Sequence, residues 1–222
     1  MKVIALMPMK GNSERIPNKN LKDFCGAPLY HRVLQSLLDS KHIDEVVINT
    51  DSEKISEDVA RNFDNRVVIH KRPDEIIGDF VSMNKVIEYD LNNTEADYYI
   101  QTHSTNPLLK SETIDGAFDK MFKNKEGYDS IFSVTRLQTR LYSSDGSPLN
   151  HDPEQLLRTQ DLPPIYEENS NFYIFSKSSF KSAGGSRIGD NPLMYEIPHI
   201  EAIDIDELHD FIIAESLFKM QL

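Results

Sequence analysis

Apolar residues along this chain fall into two recurring patterns, short unbroken runs and clusters at helical spacing. Val3-Ile4-Ala5-Leu6 is an unbroken run, as expected of a strand buried on both faces, and the polar stretch from Met9 to Asn20 predicts a loop at its C-terminal end. Leu29, Val33, Leu34, Leu37 and Leu38 then recur at helical spacing. The rhythm returns with a strand over 45–49, Asp51 or Ser52 as cap, and a helix face of Ile55, Val59 and Ala60. A third strand is predicted over 67–69. Ser82 then caps a helix carrying Val86, Ile87 and Leu91, and a strand follows over 98–101. Ser111, Thr113, Ala117, Phe118 and Met121 predict a further helix, 130–134 and 171–175 further strands, and Leu208, Phe211, Ile212, Ala214 and Leu217 a terminal helix.

Strands and helices alternating at these lengths predict an α/β fold, a mostly parallel sheet with helices on both faces. Ligands on such sheets sit at the C-terminal ends of the strands. From Gln138 to Asn169 the helical rhythm is lost, and Ser144-Asp145-Gly146-Ser147 predicts a hairpin turn. A long aperiodic stretch inside a compact domain predicts an interaction arm. The expected organisation is one domain over 1–222 with 138–169 as a protruding dimerisation arm.

Charge narrows the partners. The formal net charge of −12 argues against nucleic acid, which a polyanion repels. Against that background Lys10, Arg15, Lys19 and Lys22 form a basic cluster suited to a small anionic ligand. No apolar run approaches the roughly 18 residues of a membrane span, and the short apolar start lacks a cleavage site, so the expected location is the cytoplasm, away from membranes. Cys25 is the single cysteine, which excludes an internal disulfide and a cysteine-rich metal site. The histidines lack a zinc-hydrolase spacing, and no hydrolase nucleophile elbow or Walker A loop is present.

Two segments carry candidate chemistry. The loop from Lys10 to Asn20 follows a buried strand: Gly11 permits close backbone approach, Ser13 offers a hydroxyl, and Lys10 and Lys19 supply mobile positive charge. It reads either as a phosphate-binding loop or as a solvated basic loop. Asp204-Ile205-Asp206 places two carboxylates at a strand end, pointing in similar directions in an extended chain. They read either as Mg²⁺ ligands or as partners of the following helix dipole. Arg72, Arg158 and Arg187 read singly as surface cations.

Taken in order, these segments resemble the acylneuraminate cytidylyltransferases, which make CMP-activated sialic acids and related sugar acids. The resemblance rests on Ser13 to Asn20 with its Ile-Pro-x-Lys-Asn ending, Gly26-x-Pro28-Leu29, Asn49-Thr50-Asp51, Lys71-Arg72-Pro73, Thr105-Asn106-Pro107-Leu108, 158–163 (Arg-Thr-Gln-Asp-Leu-Pro) and Ile203-Asp204-Ile205-Asp206. It implies a nucleotide-diphospho-sugar transferase fold, a homodimer joined through the arm, and transfer of CMP from CTP to a sugar acid. Lys19 would contact the CTP phosphates, Asn20 the ribose and Arg72 the cytidine, while Asp204 and Asp206 would hold Mg²⁺. Lys10, Gly11, Ser13, Arg15 and Ser82 join the substrate-binding set. Thr105, Arg158 and Arg187 would face the sugar acid or a neighbouring subunit.

Two departures stand out. Lys10-Gly11-Asn12-Ser13-Glu14 replaces the family's Arg-Gly-Gly-Ser-Lys, which loses a bidentate guanidinium and reverses a charge beside Arg15. His103 stands where a sugar-contacting glutamine is expected, with Gln101 two positions earlier. Two alternatives accompany the main expectation: CTP-dependent transfer to another sugar such as a 3-deoxy-octulosonate, and a catalytically silent nucleotide-binding scaffold.

Overall fold

The computed structural model describes residues 1–78, 80–123, 125–155 and 157–220. Its strands are β1 (Val3–Leu6), β2 (Asp23–Phe24), β3 (Ala27–Pro28), β4 (Glu45–Thr50), β5 (Val67–Lys71), β6 (Tyr98–Thr102), β7 (Ser130–Leu137), β8 (Ile165–Phe175) and β9 (Pro192–Glu196). Its α-helices are α1 (Tyr30–Asp39), α2 (Glu53–Asn62), α3 (Met83–Asn92), α4 (Ser111–Phe122), α5 (Lys177–Ser182) and α6 (Leu208–Lys219). Seven strands form one sheet in the order β5-β4-β1-β6-β8-β7-β9. β1, β4, β5 and β6 pair in parallel, as does β7 with β9, and β8 runs antiparallel to both of its neighbours. The mostly parallel sheet expected from the sequence is therefore present.

Helices cover both faces. Buried residues of α1, α2 and α4 pack with Val3, Ala5, Val46, Ile48 and Ile100. On the other side Ile87 and Leu91 of α3 and Phe180 of α5 pack with Ile4, Leu6, Val47, Tyr99 and Phe175. Alternate residues of one strand thus enter opposite cores, which is why the parallel strands read as unbroken apolar runs. Ser52 and Ser82 accept hydrogen bonds from Ile55 N and Asn84 N, so both expected caps are in place.

The structure differs from the sequence reading at its polar edges. β8 begins at Ile165, so 165–169 of the expected arm belong to the sheet, and the connection without α-helix or strand runs over 138–164. Position 156 of the expected arm lies outside the described residues. Within that connection Tyr142 bridges Pro148 and Gly146 takes a positive φ, the predicted turn. Asp204 and Asp206 lie not at a strand end but in an irregular segment between β9 and α6. In α6 only Phe211 and Ala214 are buried, while Leu208 and Ile212 are exposed, so its apolar pattern does not mark a single buried face.

Candidate functional site

A third, smaller core fixes the candidate site. Ile16 of the first loop packs with Phe24 and Leu29, with Ile205, and with Phe211 and Ala214 of α6. Ile205 is fully buried and its N–H donates to the Thr105 carbonyl at 2.9 Å. Asp204 and Asp206, on either side of it, both line one cavity outside that core.

The loop reaches them through two cations. Arg15 Nη2 lies 2.5 Å from Asp206 Oδ1, and Lys19 Nζ lies 4.0 Å from the same oxygen while donating to the Ile205 carbonyl. Asn18 enters the left-handed region at φ 54°, which asparagine tolerates, and turns the chain into the single 3₁₀ turn Lys19–Leu21. Burial pulls the Lys19 amine below its ordinary value, against the opposing pull of Asp204 and Asp206. Asn20 is buried, donating to the Lys10 carbonyl at 3.1 Å and accepting from Ser104 at 2.9 Å.

The end of β4 holds the loop's other side. Gly11 N donates to Asp51 Oδ1 at 2.6 Å, and a Cβ on Gly11 would lie 2.8 Å from Ser52 Cβ. Only a residue without a side chain fits so close to the helix cap. Lys10 and Ser13 sit on the same loop, both half-buried.

Arg72, just past β5, is 3 % exposed. Its Nε donates to Asn49 Oδ1 at 2.8 Å and its Nη2 to the carbonyls of Asn49 and Met9. Burial lowers its pKa somewhat, with Asp51 and Asp90 opposing, and a guanidinium keeps its charge regardless. Asn49, His70 and Asp90 form a connected polar cluster behind it, of which only Asn49 belongs to a motif noted in the sequence. The signal was available: Asp90 falls on the buried face of α3 with Val86, Ile87 and Leu91.

Beside the carboxylates a cavity of about 400 Å³ is lined by His103, Glu167, Glu168, Asn169, Ser170, His199, Asp204 and Asp206, among others. Burial holds the His103 imidazole below its ordinary pKa, which Asp204 opposes and Arg187 reinforces. Gln101 is fully buried and accepts from Arg187, whose guanidinium lies 4.0 Å from the centre of the Tyr173 ring. Tyr173 donates in turn to Glu168 and accepts from the Ser170 hydroxyl, and burial with the Glu168 bond pushes its phenol up to about 12. Ser170 stands at φ 58° inside β8, within the shift of register that separates the pairs Phe132–Tyr173 and Val134–Glu168. Such irregularities re-aim side chains. Glu167 and Glu168 had no sequence signal, because polar residues at the start of β8 resemble a loop, and His199 lies in a turn after β9.

Of the expected residues His103, Asp204 and Asp206 line this cavity, and Ser82 and Arg158 lie elsewhere. Ser82 lines a groove between α3 and α5 with Lys85, Lys177 and Phe180. Arg158 is held by Asp161 through Nε at 2.7 Å and Nη2 at 3.1 Å, with its side chain 73 % exposed. A larger cavity of about 550 Å³, between Cys25, Arg32, Lys110 and Phe218, contains none of the expected residues.

The carboxylates suit a hard cation. Asp204 Oδ1 is buried with no hydrogen-bond partner, and among the described residues no three His, Cys, Asp or Glu side chains group as an all-protein metal cage. Two carboxylates completed by water and phosphate oxygens are the usual Mg²⁺ arrangement.

The sheet order and the loop at its carboxyl edge define a nucleotide-diphospho-sugar transferase fold. Solved structures share it: a CMP:2-keto-3-deoxy-manno-octonic acid synthetase complexed with CTP superposes with TM-score 0.71 at 15% identity over all of both chains. A 4-diphosphocytidyl-2C-methyl-D-erythritol synthase from Anaerococcus prevotii gives 0.68 at 13% identity over 98% of each. The chain belongs to the cytidylyltransferase family, whose model matches residues 4–214. It is 32% identical to an N-acylneuraminate cytidylyltransferase of Oncorhynchus mykiss over 96% of this chain and 49% of that protein. It is 27% identical to a pseudaminic acid cytidylyltransferase of Campylobacter jejuni subsp. jejuni over 99% of this chain and 97% of that one. The chain thus spans about half the length of the first of these relatives and nearly all of the second.

Proposed function

We propose that this chain is a cytoplasmic cytidylyltransferase that transfers CMP from CTP to the anomeric hydroxyl of a sialic-acid-like sugar acid, releasing pyrophosphate. The observation that carries this reading is the convergence of Arg15 and Lys19 on Asp206, beside the unpartnered buried oxygen of Asp204. A family match across 4–214 and relatives named for N-acylneuraminic and pseudaminic acids support the substrate class.

Asp204 and Asp206 would hold Mg²⁺, which when bound neutralises phosphate oxygens and favours departure of pyrophosphate. Arg15 and Lys19 already lie against Asp206, so a triphosphate held there meets their charge without a large movement of the chain. Lys10 and the Gly11 backbone border the triphosphate, Asn20 the ribose and Arg72 the base. The sugar acid takes the adjoining cavity. There His103 is held neutral by burial and serves as a hydrogen-bonding group, while Arg187, anchored on Tyr173 and Gln101, supplies positive charge behind it. The anomeric hydroxyl attacks the α-phosphorus and loses its proton to solvent, the bond to the α–β bridging oxygen breaks with that oxygen leaving in pyrophosphate, and catalysis is positioning and charge stabilisation.

A homodimer accompanies this reading. Tyr142, Leu149, Leu157 and Tyr166 are exposed apolar side chains along 138–166, and a second copy is the expected cover.

The test is pyrophosphate release from CTP and Mg²⁺ with a panel of nonulosonic and octulosonic acids. Release that depends on a nonulosonic acid, and that Asp206→Ala abolishes with little change in melting temperature, supports the reading. Release with an octulosonic acid alone, or silence across the panel, contradicts it.

A further inference from the structure

Behind Arg72 lies a buried polar chain that the proposed mechanism does not use. Asp90 of α3 is 0 % exposed, and its Oδ1 accepts from Asn49 Nδ2 at 2.8 Å and meets His70 Nδ1 at 2.7 Å. A carboxylate in that position can only accept, so it fixes the Asn49 amide with its nitrogen toward Asp90. The Asn49 oxygen is thereby left facing Arg72 Nε, 2.8 Å away. Arg72 Nη2 is taken up by the carbonyls of Met9 and Asn49, so the guanidinium is held along one edge and Nη1 is the nitrogen left for a ligand. Three elements, α3, β4 and β5, meet in this chain at the carboxyl edge of the sheet. A buried guanidinium needs a counter-charge, and linked hydrogen bonds hold one orientation where single contacts would not, even with Asp90 Oδ2 itself left without a partner.

We infer that Asp90, acting through Asn49, is a positioning residue for nucleotide binding: it fixes the guanidinium plane of Arg72 and presents its free edge to the base. This rests on the reading of Arg72 as a nucleotide contact. Removing the charge or the bridge leaves Arg72 in place but free to turn, so nucleotide affinity falls while the fold persists.

The experiment is calorimetric titration of CTP in Mg²⁺ buffer, without sugar, against the wild type, Asp90→Asn, Arg72→Met and the double variant, with melting temperatures alongside. We expect Asp90→Asn to weaken CTP about 5- to 20-fold, and to add nothing further in the Arg72→Met background, as coupled neighbours do. Should Asp90→Asn not yield folded protein, Asn49→Ser removes the bridge alone and carries the same expectation. A Kd within twofold of wild type for Asp90→Asn, with Arg72→Met weakened, overturns the positioning role and leaves the function intact. Equal additional losses in both backgrounds also overturn it, because Asp90 would then act other than through Arg72. Unchanged affinity in Arg72→Met removes the nucleotide contact itself, and absent binding in the wild type removes the proposed function.

Discussion

Gly11 is the residue on which the geometry of the first loop turns. Its N–H is tied to Asp51 and its Cα faces the cap of α2, with no room for a methyl group. Gly11→Ala should raise KM for CTP about 5- to 30-fold, equivalent to about 1–2 kcal/mol of displaced loop, with a smaller change in kcat. Steady-state kinetics checks this, and an unchanged KM would place the phosphates elsewhere. At this scale the site was largely legible: the strand-then-loop pattern located Lys10, Gly11, Ser13 and Lys19, and the Asp-x-Asp spacing predicted two carboxylates facing the same way. What stayed hidden depends on contacts between distant segments. Nothing in local sequence pairs Arg15 with Asp206 or Asn49 with Asp90, and Glu167 and His199 come together only through the folding of the sheet.

Between elements, α1 and α2 are joined by Asp58, which accepts from Tyr30 at 2.5 Å and lies 2.6 Å from His31 Nε2. Burial raises the Asp58 pKa, the bonds from Tyr30 and His31 lower it more, and the net value lies below that of an ordinary aspartate. A folded-state pKa below the unfolded one contributes stability above about pH 4, lost as pH falls through the folded value. Asp58→Asn should therefore cost about 1–2 kcal/mol at pH 7, with the gap to wild type narrowing as pH falls through the folded-state value. Denaturant melts at several pH values measure this, and a gap independent of pH would contradict it. The sequence predicted the buried strands and most helices because their apolar periods are set by the cores they enter. β9 and the β2–β3 hairpin escaped it. β9 is short and only partly buried, and the hairpin turns through Cys25 and Gly26, both at positive φ. The start of β8 escaped as well, its exposed Tyr166, Glu167 and Glu168 carrying no apolar alternation.

For the whole molecule, the exposed apolar side chains along 138–166 and Met194 on β9 predict association. Sedimentation should return a mass of two chains, and Leu149→Lys with Tyr142→Lys should shift it toward one while secondary structure is retained. A wild-type mass of one chain at micromolar concentration would remove the dimer. At a net charge of −12, copies of this chain repel one another unless an apolar patch or a counter-charge offsets the repulsion.

The most direct test of the account is ³¹P NMR of the protein with CTP, Mg²⁺ and a mixture of N-acylneuraminic and pseudaminic acids. The account predicts that the triphosphate signals give way to a single phosphodiester resonance and pyrophosphate, in equal amounts and only when sugar is present. Persistence of CTP, or its decay to CDP and inorganic phosphate, would contradict attack at the α-phosphorus and with it the proposed transferase.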